Sequence, residues 1–173
     1  MDLYDSLLAA IGNEFDIMTQ IKKSARGEVL LVRHKENGTR YIFRHFEGSS
    51  EVYKKLLGIS ARNLPQIMEV GEKNGRTVLL EEYIQGDTLS EVLKGGLLST
   101  AEAKKIARQL CSALWILHSM GMVHRDVKPE FPMVKDTTPN MMNPRLYTTS
   151  YNKPQGQQFD DTAVLSFIKL QYT

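Results

Sequence analysis

An α+β fold, in which a five-stranded antiparallel sheet with one inserted helix precedes a helical segment, is predicted by three observations. Five β-prone runs follow one another between residues 15 and 83. Two of their junctions carry Asn-Gly, at Asn37-Gly38 and Asn74-Gly75, a strong hairpin signal because both residue types accept the positive φ angles of tight turns. From Ser99 onward the apolar spacing changes to that of a helix.

In chain order, Leu3, Leu7, Leu8 and Ile11 predict a short amphipathic helix over residues 2–11, ending near Gly12-Asn13 and packing on a neighbour. The strands follow as Phe15 to Lys23, Glu28 to His34, Arg40 to Phe46, Gln66 to Glu72 and Thr77 to Tyr83, with a helix from Ser49 to Leu57 between the third and fourth. Leu89, Val92 and Leu93 predict another short helix. A longer helix runs from Ser99 to about His118. Ser99 and Glu102 have capping-box spacing, and Ala103, Ile106, Ala107, Leu110, Leu114 and Leu117 supply one apolar face. Beyond Val127 the period is lost apart from a β-like piece at Met133-Val134, and local signals that disagree argue against a well-defined fold.

Composition narrows the function classes. With 42% hydrophobic and 24% charged residues in 173, the chain can build a core and is not of disordered composition. A net charge of +2 is too small to announce a nucleic-acid partner. The single cysteine, Cys111, permits no intramolecular disulfide and fits a reducing cytoplasm. The N-terminus carries Asp2 and Asp5 rather than a basic signal-peptide start, and no apolar run approaches the roughly 20 residues of a membrane span.

The string His124-Arg125-Asp126-Val127-Lys128-Pro129-Glu130, placed directly after the long helix, carries the chemistry. An Asp can accept or orient a hydroxyl proton, and a Lys two residues later can offset charge on a transferred phosphoryl group. This string resembles the catalytic loop of the bacterial-type serine/threonine protein kinase family. The resemblance implies a kinase-like small lobe joined to the first helices of an incomplete large lobe, ATP with Mg²⁺ as cofactor, and an unidentified protein as substrate or partner. It implies Asp126 as catalytic base and Lys128 as its charge partner.

The same resemblance assigns residues upstream. Gly27-Glu28-Val29 matches the closing Gly-x-Val of a glycine-rich phosphate loop whose two earlier glycine positions are Lys22 and Ser24. Gly27 and Val29 are therefore nucleotide-binding candidates. Arg44 stands where the family carries the strand-three Lys that binds the α and β phosphates, and a planar guanidinium is not equivalent to a compact ammonium there. Its expected acidic partner is Glu51, or less favourably Glu47. An acid at Glu51 equally suits the positive end of a helix. Glu82-Tyr83-Ile84-Gln85-Gly86 resembles the inter-lobe hinge, making Glu82 and Ile84 adenine-side candidates. Glu81 falls at the back of the nucleotide pocket, where an unpaired buried acid is costly.

Downstream the resemblance fails. Phe131 stands where an Asn should hold Mg²⁺, and no Asp-Phe-Gly follows. Gln158 to Leu165 only faintly resembles an activation segment, and nothing resembles Ala-Pro-Glu. A shifted reading frame or a decayed gene would leave this pattern of clean motifs up to Glu130 and none after it. The expected organisation is an N-terminal helix at 1–14, a small lobe at 15–86, the start of a large lobe at 87–130 and a degenerate, poorly ordered segment at 131–173. Three functions follow as expectations: an impaired serine/threonine kinase, a pseudokinase-like nucleotide- or protein-binding module, and, least, an aminoglycoside-kinase-like phosphotransferase, against which Lys128-Pro129-Glu130 argues.

Overall fold

The computed structural model describes residues 2–124, 127–130, 132–135 and 163–165. The chain divides into two compact units, the first formed by residues 1–61 and 65–83 and the second by residues 62–64 and 84–173.

The first unit is built on an antiparallel sheet of five strands, β1 (Phe15–Ser24), β2 (Gly27–His34), β3 (Arg40–Glu47), β4 (Ile67–Lys73) and β5 (Arg76–Glu82), in the order β1-β2-β3-β5-β4. The expected strands all form. Between β4 and β5, Asn74 and Gly75 have φ of 52° and 72°, the two left-handed residues of the two-residue turn that Asn-Gly favours. The Asn37-Gly38 junction is longer. There Gly38 donates to the His34 carbonyl at 2.9 Å, and the Asn37 side chain accepts from the Thr39 amide at 2.9 Å.

Alternation along the strands divides the sheet into two apolar faces. One carries Phe15, Leu30, Val32, Phe43, Val78 and Leu80, closed over by Tyr4 and Leu7 of the helix α1 (Leu3–Asn13). Burying side chains of this size contributes about 1.5–3 kcal/mol each. Helical dihedrals in α1 stop at Ile11, where Gly12 turns left-handed at φ 88°. The helix sits so close to β4 that a Cβ on Gly71 would lie 2.7 Å from the Tyr4 backbone. Tyr4 Oη also hydrogen-bonds His45 Nε2 at 2.9 Å, and Lys73 pairs with Asp2 at 3.2 Å and with Asp5. The opposite face presents Leu31, Ile42, Arg44, Phe46, Leu79 and Glu81. The short helix α2 (Glu51–Leu56) packs there through Tyr53, whose ring meets Phe46 edge-on at 5.7 Å between centroids.

The second unit begins with β6 (Gly86–Thr88), which leads into α3 (Leu89–Lys94) and the 20-residue α4 (Thr100–Ser119). Both helices open with a reciprocal capping box, Thr88 with Glu91 and Ser99 with Glu102. Ile106, Ala113 and Leu117 are the buried positions of α4. β7 (Pro132–Lys135) coincides with the β-like piece at Met133-Val134, and it pairs antiparallel with β6 and with β8 (Ala163–Leu165). The remainder of the segment expected to be degenerate lies outside the described residues.

Candidate functional site

Strand register sets the geometry of the candidate residues in the first unit. Val29 and Arg44 are direct partners across β2 and β3, so their side chains share a face. Arg44 is opposite Leu79 on β5, and Ile42 is opposite Glu81. This puts the Glu81 carboxylate one step diagonally from Arg44 on the same face. The Arg44 guanidinium donates to Glu81 Oε1 from Nε at 2.8 Å and from Nη2 at 2.5 Å. The arginine side chain is 5% exposed and the glutamate 1%.

The electrostatics follow from that enclosure. Burial alone would lower the Arg44 pKa, but the charge and hydrogen bonds of Glu81 reverse the effect and hold the guanidinium above its ordinary value. Burial holds the Glu81 carboxyl above its ordinary pKa, a rise that the charge and hydrogen bonds of Arg44 reduce without cancelling. Arg44 and Glu81 are each other's ion-pair partner, and pairing is the condition under which a buried charge is tolerated.

The partner expected for Arg44 is therefore corrected. Glu51, on α2, is exposed and pairs with Lys55 one helical turn along at 3.7 Å; Glu47 is exposed at the end of β3. The cross-sheet acid wins because strand register already delivers it to Arg44. Sequence reasoning marked Glu81 as a residue needing a partner without identifying that partner. An acid that directly continues the apolar run Val78-Leu79-Leu80 was the available signal.

Gly27 opens β2, where it faces Phe46. A Cβ there would come within 2.7 Å of the Phe46 Cα, so glycine is required by the close approach of β3. Glu82 ends β5, and its Oε2 accepts from the Gln66 amide at 3.1 Å. In the second unit, Ile84 is buried. There α4 stops in a left-handed turn at Gly121, φ 73°, with Met122 N–H donating to the Leu117 carbonyl at 2.9 Å. His124 beyond it is buried at 3% exposure. Lys128 is exposed, and the next carbonyl, that of Pro129, accepts from the Ser90 amide of α3 at 2.8 Å. Asp126 lies outside the described residues.

The donor set does not fit Mg²⁺ as the resemblance requires it. The position after Glu130 is Phe131, whose side chain offers no oxygen to a hard cation. Among the described residues no group of three or more His, Cys, Asp or Glu side chains could hold a metal. None of their helices is long and apolar enough to cross a membrane.

A five-stranded antiparallel sheet with a helix inserted between its third and fourth strands, followed in the chain by a capped long helix and a His-containing loop, defines the protein-kinase-like class of fold. Residues 15–142 match the protein kinase domain family. The chain belongs to that family, and several of its relatives are named serine/threonine-protein kinases. It is 32% identical over 99 residues to serine/threonine-protein kinase D of Synechocystis sp., an alignment covering 57% of this chain and 19% of the relative. Identity to serine/threonine-protein kinase SBK2 of Rattus norvegicus is 29% over 140 residues, covering 75% of this chain and 38% of the relative. The chain thus spans well under half the length of these curated relatives. The crystal structure of Rad53 1-466 in complex with AMP-PNP superposes with a TM-score of 0.61 at 19% identity, over 72% of this chain and 35% of that one.

Proposed function

We propose that this chain descends from kinases that transfer the γ-phosphoryl group of ATP to a protein serine or threonine hydroxyl, and that its own turnover is impaired. In the ancestral reaction the hydroxyl oxygen bonds to the γ phosphorus while the bond to the β–γ bridging oxygen breaks, and ADP departs. Asp126 takes the hydroxyl proton, and Lys128 offsets charge on the moving group. Gly27, Val29 and Arg44 stand at the phosphate-side positions, with Glu82 and Ile84 on the adenine side. The observation that carries the impairment is Phe131 at the oxygen-ligand position, since phosphoryl transfer is mostly positioning and charge neutralisation.

A second reading, a pseudokinase-like module that binds nucleotide or protein without turnover, is favoured by the Arg44–Glu81 pair, in which the phosphate-position cation already has a counter-ion. A location in the cytoplasm accords with the absence of a disulfide pair in the sequence.

Thermal denaturation in increasing ATP, with and without Mg²⁺, tests the impairment. A ligand that binds the native state raises the melting temperature according to ln(1 + [L]/Kd). The expected outcome is that Mg²⁺ adds nothing to any shift produced by ATP. A rise of several degrees that requires Mg²⁺ would overturn it.

A further inference from the structure

We propose that Glu81 closes the nucleotide site from within, its carboxylate occupying the Arg44 guanidinium where a phosphate would otherwise bind; the inference rests on the reading of Arg44 as the phosphate-facing cation. Two donors of the guanidinium converge on one carboxylate oxygen, at 2.8 and 2.5 Å. With side-chain exposures of 5% and 1%, the pair is already desolvated. A triphosphate would have to displace an anion that is in place and dry, and a cation neutralised in this way adds little to its affinity.

The alternative role for an acid beside this cation is to orient it toward the phosphates. That role requires the cation to extend past the acid and offer free N–H groups to a ligand, and the enclosure of Arg44 opposes it. The closure is also built into the sheet. Arg44 and Glu81 are fixed by the β3–β5 register, while Glu51 on α2 is engaged with Lys55. The pair's own hydrogen bonds run only between β3 and β5, with Tyr53 of α2 close enough to act on the Arg44 charge.

The two roles predict opposite effects of the same substitution. Isothermal titration calorimetry of the full chain with the ATP analogue bearing an imido β–γ bridge should give weak binding for the native sequence. Glu81→Gln and Glu81→Leu should each bind at least tenfold more tightly, and Arg44→Met/Glu81→Leu should return to the weak level. Unchanged or weaker binding in Glu81→Gln overturns the proposal. If Arg44→Met alone then loses affinity, the assignment of Arg44 survives; if it does not, that assignment falls as well. A gain in Glu81→Leu that persists in the double variant overturns both. A further readout needs no variant to fold: the Arg44 Nε–H resonance of the native chain should stay in place as the analogue is added. Its displacement at saturation contradicts closure.

Discussion

Tyr4 on α1 and Arg76 on β5 meet at one atom of β3, His45 Nε2, at 2.9 and 3.2 Å. Because Arg76 Nε–H can only donate, His45 must accept at Nε2 and carry its proton on Nδ1. The neutral imidazole is thus the form that this arrangement selects, and it ties the N-terminal helix to the middle of the sheet.

A pH dependence follows. Burial lowers the His45 pKa below its ordinary 6.5, the Arg76 charge lowers it further, and Glu28 opposes them. A histidine with a depressed folded-state pKa binds fewer protons in the native state than in the unfolded one, so its contribution is present above about pH 6.5 and is lost as pH falls below that. Melting temperature measured between pH 7.5 and 5 should fall for the native chain and fall less for His45→Gln. Parallel curves would remove His45 as the cause.

The Arg44–Glu81 pair makes a separate stability prediction. Glu81→Ala leaves a buried guanidinium without its counter-ion and should cost about 3–5 kcal/mol. Arg44→Met/Glu81→Leu replaces both ions by apolar groups of similar size and should be close to neutral or stabilising. Urea denaturation of the three proteins checks this, the decisive result being a double variant more stable than the single one.

Gly71 should be intolerant of even one methyl group. Its missing Cβ is the space that the Tyr4 backbone occupies, so Gly71→Ala must push α1 away from β4. The expected cost is about 1–3 kcal/mol, the usual penalty of overpacking, with faster hydrogen exchange at residues 5–10. Native-like protection of those amides would show that the helix had not moved.

How far the sequence foretold this architecture depended on the range of the interaction. Asn74-Gly75 and the Ser99/Glu102 box are local devices, legible because turn dihedrals and first-turn amides depend on residues a few positions apart. Thr88 and Glu91 have the same spacing and form the same box. Arg44 and Glu81 are 37 residues apart; only the order β3-β5-β4 makes their strands neighbours, and family resemblance points to Glu51 instead. Gly71 gave no local sign of its purpose, since the atoms it admits belong to α1. The partners of β7 were likewise hidden, because three-residue strands such as β6 and β8 carry too short an alternation to be recognised.

Loss of turnover is tested most directly by transfer of label from γ-³²P-ATP to generic serine/threonine substrates by the purified chain in Mg²⁺, with Asp126→Asn as control. With Phe131 at an oxygen-ligand position and Arg44 held by Glu81, the predicted result is incorporation no greater than background for both proteins. Clear incorporation by the native chain that disappears in Asp126→Asn would contradict it and restore a working kinase.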